Sequence, residues 1–315
     1  MREALTLVAA LSSTSRPALV ASVAAAAGAG ADAVLVRLQG EGDRAARLPF
    51  ELADFDAGVD PTAGVIASGD LPAVAEACRR HGIALVVSVT DDAGVRLAAS
   101  ADPLALHVPA AALGDVGLIG APASDRTVWL DTAMADLGEV AEAVDAVRKA
   151  GGRPLLLHGL AVAPASPEEL NLRALSDLRE RFEVPVGWAA CEATAAIAVA
   201  AVALGAGVLV VPFASSGGFD PATLGRLNAE ARLVARALGD GNKRVQPSEW
   251  PERDRLHRSL VARVPIARGA ALTADMLTTA RPGLGLKPRV LEAIVGRRAV
   301  RDIPAGTLLT LGMLE

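Results

Sequence analysis

Residues 184–213 read VPVGWAACEATAAIAVAAVALGAGVLVVPF. Short apolar runs at 184–188 and 207–213 flank a segment of small and aliphatic residues long enough for a helix. Apolar runs of this length beside a helical segment are typical of a β-α-β unit whose strands are buried on both faces. The carboxyl ends of such strands are where barrel enzymes carry their chemistry, yet here they offer Cys191 and Pro212.

The same alternation of short apolar runs and helical segments extends over residues 1–240. Segments such as 71–82 and 138–152 each end in Gly, which is a helix stop signal. The eight candidate strands lie at 5–10, 33–38, 84–89, 103–108, 127–132, 154–159, 184–188 and 207–213. Eight such units predict an α/β fold of the (β/α)₈ TIM-barrel type, with a doubly wound sheet as the alternative.

The composition of the chain changes after residue 240. Residues 241–255 are polar and contain two prolines, which indicates a linker. Residues 256–315 contain two similar segments, PIARGAALT and DIPAGTLLT, and a cluster of Pro and Gly. They predict a small β-rich domain that is marginally stable alone at its size.

Composition excludes several classes of function. The net charge is -5, no basic run occurs, aromatic residues make up 3% and Tyr is absent, so we expect no nucleic acid partner. The apolar run at the amino terminus is too short to span a bilayer, so we expect no membrane insertion. Cys78 and Cys191 lie far apart in the sequence and outside any CxxC pair, which favours reduced thiols in a cytoplasmic protein.

Several segments carry a family resemblance. RSLVARVPIARGAALTADMLTTARPGLGL (258–286) and IVGRRAVRDIPAGTLLT (294–310) resemble the antifreeze-like (SAF) domain that ends bacterial sialic acid synthases. APASPEELNLRALSDLRERFEVPVGW (163–188) and AVALGAGVLVVPF (201–213) are similar to barrel segments of the same family. The resemblance covers essentially the whole chain and implies a TIM barrel followed by a β-clip-like SAF domain.

The resemblance also implies a reaction and an assembly. Sialic acid synthases condense phosphoenolpyruvate with an N-acetylmannosamine-type sugar, use Mn²⁺ or Mg²⁺, and make nonulosonic acids for surface glycans. Their homodimers exchange SAF domains, so that one chain caps the active site of the other. An Arg in an RPG motif reaches the sugar, and Arg281 in RPGLG matches it.

The sequence departs from this family at the metal ligands. The two imidazole ligands are replaced by Cys191, which follows Ala190, and by Pro212. Pro has no side-chain donor, and Mn²⁺ and Mg²⁺ prefer oxygen and imidazole ligands over thiol. We therefore expect no metal cofactor and an altered or lost condensation reaction.

The family's phosphate-binding positions also differ. Leu35 stands where the family has a Lys, with Arg37 two residues later, while Ser88 keeps a hydroxyl and His107 replaces another Lys. Asp131 replaces a Ser, and its carboxylate would repel a phosphate group.

The polar residues at the strand ends are candidates for a rebuilt site. Candidate catalytic residues are His107, Asp131 and His158, which end three consecutive predicted strands. Candidate substrate-binding residues are Arg281, Ser88, Arg37 and Trp188; no metal ligand is assigned. The alternatives are polar groups left at a solvated rim, a packing role for Trp188, and a structural turn around Arg281.

Three functions remain open at this point. The first is a divergent sialic acid synthase-like protein of carbohydrate biosynthesis that acts on a small sugar or sugar acid. The second is a non-catalytic sugar-binding or regulatory paralogue. The third is a repurposed metal-independent lyase or aldolase.

Overall fold

The computed structural model describes residues 5–13, 15–38, 65–120, 125–214 and 217–315. These residues fall into two compact units that divide between Gly239 and Asp240. The parallel strands of the first unit are β1 (Thr6–Leu11), β2 (Ala33–Leu38), β3 (Val65–Ile66), β4 (Ala84–Ser88), β5 (Ala105–Val108), β6 (Thr127–Asp131), β7 (Arg153–Gly159), β8 (Val186–Ala189) and β9 (Val208–Phe213).

Eight of these strands close into a barrel. The strand order is β1-β9-β8-β7-β6-β5-β4-β2, and β1 also pairs with β2 through Val8 and Ala33. That last pairing joins the two ends of the sheet, which an open doubly wound sheet would leave apart. The predicted (β/α)₈ barrel is therefore confirmed, and the short β3 extends only the end of β2, opposite Arg37.

Helices follow the strands and cover the outside of the barrel. They are α1 (Arg16–Gly28), α2 (Leu71–His81), α3 (Asp92–Ser100), α4 (Val116–Gly120), α5 (Leu137–Lys149), α6 (Ala174–Phe182), α7 (Ala195–Ala203) and α8 (Pro221–Ala237). Their ends carry the expected signals: Asp136 and Glu139 form a capping box on α5, and Gly82 ends α2 in the left-handed region. Among the described residues, no helix is long and apolar enough to cross a bilayer.

The barrel strands are buried on both faces, and their side chains alternate between two clusters. Trp129 and Leu157 belong to the cluster inside the barrel. Leu156 and Trp188 belong to the cluster between strands and helices. Because successive residues of a strand point to opposite faces, membership of these clusters fixes the direction of every neighbouring side chain.

Gly187 on β8 marks a point of close approach between strands inside the barrel. A Cβ at this position would lie 2.7 Å from Leu157 Cδ2 and 2.8 Å from the Val208 carbonyl oxygen. Only a residue without a side chain lets these strands approach so closely.

The substitution Gly187→Ala is predicted to lower the free energy of unfolding by about 1–3 kcal/mol, because an added methyl group overpacks the interior. Gly207→Ala is the matched control, since its Cβ would meet nothing closer than 3.8 Å. Urea unfolding of both variants measures the difference. Equal stabilities would contradict the close approach seen at Gly187.

The second compact unit starts at Asp240 and so includes the residues that the sequence analysis assigned to a linker. The stretch assigned as a linker, 241–255, contains a 3₁₀ turn at Pro247–Glu249 followed by α9 (Trp250–Leu256). The sequence analysis took the two prolines as linker signals. Here each of them lies in the first turn of its helix, where the missing N–H costs nothing.

The rest of this unit is a small β module. It contains β10 (Ser259–Ala262), β11 (Leu277–Ala280) and α10 (Leu291–Ile294), and β10 and β11 are antiparallel. The two similar segments of the sequence meet at Ile266 and Ile303, whose backbones exchange hydrogen bonds of 2.9 and 2.8 Å. Each segment thus pairs with its own repeat, rather than forming a separate hairpin.

Candidate functional site

The inward-facing positions at the carboxyl end of the barrel form a ring, which we call the mouth ring. Each position either packs against the interior cluster or lies two residues beyond one of its members, on the same face of its strand. The ring consists of Arg37, Ser88, His107, Asp131, Gly159, Ala189, Pro212 and Ala10. Polar residues occupy β2, β4, β5 and β6, and small or apolar residues occupy β7, β8, β9 and β1. The mouth therefore has a polar half and an apolar half.

Ser88 and His107 are register partners in the polar half. His107 Nδ1 lies 3.0 Å from Ser88 Oγ, and both side chains are buried. Burial, with a smaller contribution from the Arg37 guanidinium, lowers the pKa of His107 to about 3. The imidazole is therefore neutral near pH 7. Among the described residues, no protein group forms a hydrogen bond with its Nε2, and no buried side-chain polar atom lacks a partner. The Nε2 atom is therefore accessible from the mouth of the barrel.

Arg37 supplies the positive charge of the mouth ring. It is half-buried and is the register partner of Ser88. Within the described ranges, no hydrogen bond or ion pair engages its guanidinium. Its charge acts to lower the pKa of both His107 and Asp131, so the three groups share one region. A guanidinium left without a carboxylate partner is suited to bind an anion.

Asp131 lies two residues beyond Trp129, the register partner of His107. Burial raises the pKa of its carboxyl, against smaller opposing contributions from the Ala133 amide and from Arg37. Its Oδ1 accepts a hydrogen bond of 3.1 Å from the Ala133 amide. One carboxyl oxygen is thus anchored to the backbone beyond the strand.

Thr132 fixes the end of β6 directly after Asp131, a role that the sequence analysis did not assign. The Thr132 hydroxyl and amide both donate to the Leu157 carbonyl, at 3.0 and 2.9 Å. This contact ties the end of β6 to β7. The sequence signal for this role is a Thr directly after the carboxylate at the end of a strand, because a Thr hydroxyl can donate a hydrogen bond to the backbone of the neighbouring strand.

The structure sets His158 apart from His107 and Asp131. His158 lies between two inward-facing positions of β7, so its ring points outward into the helix layer. There it packs edge-on against Trp188, with ring centroids 5.6 Å apart, and its Nε2 lies 3.0 Å from the Leu170 carbonyl oxygen. Burial lowers its pKa. The expected three-residue cluster is therefore not formed.

Trp188 shares this outward position. It is 2% exposed and belongs to the cluster between strands and helices. The alternative of a packing role therefore describes its surroundings better than the expected sugar contact.

The apolar half of the mouth ring holds no side-chain donor. A Cβ on Gly159 would collide with the Ala189 carbonyl oxygen, so the two strands meet backbone to backbone here. Cys191 lies at the edge of the helix layer, and burial raises the pKa of its thiol, with Glu192 adding in the same direction. A thiol with a raised pKa and a proline make a poor donor set for a hard divalent cation.

The described residues contain no group of three His, Cys, Asp or Glu side chains that could hold a metal ion. They therefore do not fit the Mn²⁺ or Mg²⁺ that the sequence resemblance implies.

Arg281 belongs to the second unit and is exposed at the start of the RPGLG loop. The buried Ser259 fixes this loop: its hydroxyl donates to the Pro282 carbonyl at 2.7 Å and accepts from the Gly285 amide at 2.8 Å. A Cβ on Gly285 would lie 2.8 Å from the Leu309 carbonyl oxygen. The motif is thus a turn fixed by hydrogen bonds and close packing, and it leaves the Arg281 side chain exposed to solvent.

The fold and the mouth ring together define the class of protein. It is a (β/α)₈-barrel protein with polar groups at the carboxyl ends of its strands, where barrel proteins carry their sites, joined to a small β module. The chain belongs to the NeuB family, whose model matches residues 66–243. Residues 257–315 match the SAF domain.

Relatives and solved structures agree with this membership. The chain is 29% identical over 259 residues to an N,N'-diacetyllegionaminic acid synthase from Legionella pneumophila, covering 77% of this chain and 72% of that protein. A Campylobacter jejuni protein of the same name is 31% identical over 197 residues, which is 59% of each chain. The fold matches a solved Chromobacterium violaceum protein assigned to spore coat polysaccharide biosynthesis, with 21% identity, 99% of both chains covered and a TM-score of 0.81.

The free energy of unfolding is predicted to fall as the pH drops from about 6.5 towards 3, in part because of His107. Its folded pKa lies below the ordinary 6.5, so the unfolded chain binds the proton first and the stabilisation present at neutral pH is lost on acidification. Asp131 contributes with the opposite sign because its pKa is raised. Urea unfolding of His107→Gln across this range isolates the first contribution.

The expected result is a shallower pH dependence in His107→Gln than in the wild type. His81→Gln, an exposed substitution at the end of α2, controls for the loss of an imidazole. Parallel curves for wild type and His107→Gln would show that His107 does not couple folding to pH.

Proposed function

We propose that this chain acts in the biosynthesis of nonulosonic-acid carbohydrates, as the names of its relatives suggest. Its barrel mouth binds a small sugar or sugar acid without a divalent metal. The metal-dependent condensation of phosphoenolpyruvate with an N-acetylmannosamine-type sugar is altered or lost.

One observation carries this proposal: the two halves of the mouth ring differ in chemistry. Arg37, Ser88, His107 and Asp131 retain the charge and hydrogen-bonding capacity that a polyol ligand needs. The opposite half lacks the imidazoles that would hold a cation, because Pro212 has no donor and Cys191 has a raised thiol pKa. This contrast supports a site that binds a sugar without the help of a Lewis acid.

His107 also favours a second candidate function, that of a metal-independent lyase or aldolase. It is neutral, one ring nitrogen is fixed on Ser88, and Nε2 opens on the mouth. A neutral imidazole held in this way can accept a proton from a bound sugar acid. Its low pKa makes it a weak base, which is why binding remains the first proposal.

Titration of the purified protein distinguishes these functions. N-acetylmannosamine or N-acetylneuraminate is expected to raise the melting temperature, because a ligand that binds only the folded state stabilises it. Mn²⁺ with phosphoenolpyruvate is expected to leave it unchanged. Slow cleavage of N-acetylneuraminate, lost in His107→Gln, would instead favour the lyase. A melting shift that requires both Mn²⁺ and phosphoenolpyruvate would overturn the proposal.

We further propose that the chain is a homodimer in which the SAF domain of one chain caps the barrel of the other. The exposed guanidinium of Arg281, on a turn fixed by Ser259, supports a role in contacting a ligand outside its own module. Light scattering should therefore give the mass of two chains. Arg281→Ala should weaken sugar binding about tenfold, the loss of one charge-assisted hydrogen bond, without changing the melting temperature of the free protein.

Arg289→Ala provides a control for the loss of an exposed arginine from the same module. A monomeric mass, or equal sugar affinity in Arg281→Ala and wild type, would contradict this arrangement.

A further inference from the structure

The polar half of the mouth ring has a charge pattern that limits which anion it can accept. Arg37 contributes one positive charge without a partner among the described residues. His107 is neutral, and Asp131 places a carboxyl group in the same region. A single guanidinium beside a carboxyl group matches a ligand that carries one negative charge, rather than two.

We propose that the mouth ring selects a sugar carboxylate over a phosphate group, with Arg37 binding the carboxylate and Asp131 excluding the dianion. This inference rests on the proposed function, because it specifies the ligand of the same site. It assigns Asp131 the role of determining specificity.

The geometry places Arg37 and Asp131 on either side of the Ser88–His107 pair. Arg37 is level with Ser88, and Ser88 is level with His107, each on the neighbouring strand. Asp131 lies two residues further out than the partner of His107, or roughly 6.6 Å along its strand. The Asp131 position therefore lies further towards the carboxyl end of the barrel than the Arg37 position, and the Arg37 charge is close enough to act on the Asp131 carboxyl.

Asp131 responds differently to the two kinds of anion. Burial disfavours its charged form and raises its pKa, so each negative charge that a ligand adds beside this carboxylate opposes binding further. A phosphate monoester carries about 1.5 to 2 negative charges at pH 7 and brings three acceptor oxygens. The single guanidinium cannot balance that charge, and the hydrogen bond from the Ala133 amide to Oδ1 holds the Asp131 carboxyl in place.

His107 favours the same selection. Its Nδ1 is occupied by Ser88, so only Nε2 faces the ligand. As a neutral imidazole it exchanges one hydrogen bond with a ligand hydroxyl through Nε2, as donor or acceptor according to its tautomer, and it offers no charge to a phosphate.

Isothermal titration of the full chain tests this inference with N-acetylneuraminate, pyruvate and inorganic phosphate as probes. The wild type is expected to bind N-acetylneuraminate and to bind phosphate at least about tenfold more weakly, given the size of unit-charge interactions near a protein surface. Asp131→Asn removes the carboxyl charge and should raise the affinity for phosphate about tenfold. Arg37→Gln should lose affinity for both anions.

Glu142→Gln, which makes the same chemical change at an exposed position of α5, is the matched control and should behave as the wild type. Melting temperatures establish that each variant is folded. Pyruvate separates the two sources of a carboxylate: binding as tight as that of N-acetylneuraminate supports carboxylate selection and assigns the ligand to the 2-oxo acids.

The two proposals fail in different ways. If neither N-acetylneuraminate nor N-acetylmannosamine binds, the proposed function is overturned, and this inference with it. If N-acetylneuraminate binds but Asp131→Asn leaves phosphate affinity unchanged, only the inference is overturned. Phosphate binding by the wild type as tight as that of N-acetylneuraminate also overturns it.

Discussion

Strands that are buried on both faces can place their side chains in only two environments, the barrel interior or the helix layer. This alternation, combined with closure of the sheet between β1 and β2, decides which residues meet at the mouth. Arg37, Ser88 and His107 meet there because each lies two residues beyond an interior side chain. His158 lies between two inward-facing residues of β7, so its side chain points into the helix layer and packs against Trp188.

Closure also requires near contact between strands in the apolar half of the mouth ring and in the layer directly below it. At Gly159 and Gly187 a methyl group would overlap the neighbouring strand. This half is therefore restricted by packing, whereas the polar half has room for Arg and His side chains. The two halves of the mouth ring thus differ in packing as well as in polarity.

The number of strands, their order and the terminal module could be predicted because each depends on short-range patterns of apolar residues and Gly. The direction of the His158 side chain could not be predicted. Its strand reads LLLHG and is apolar on both faces, so no alternation of polar and apolar residues shows which side chains point inward. The pairing of Ser88 with His107 depends on register across two strands, which a single sequence does not show. The helix at Trp250–Leu256 was missed because proline can either begin a helix or end one.

The pairing of Ile266 with Ile303 has an evolutionary consequence. The two segments share a glycine in the left-handed region, at Gly269 and Gly306, and bury equivalent leucines, at Leu272 and Leu309. A module that closes on its own repeat can arise by duplication of a segment half its length. If one such segment stood alone, the same ladder would join two separate polypeptides instead of two parts of one chain.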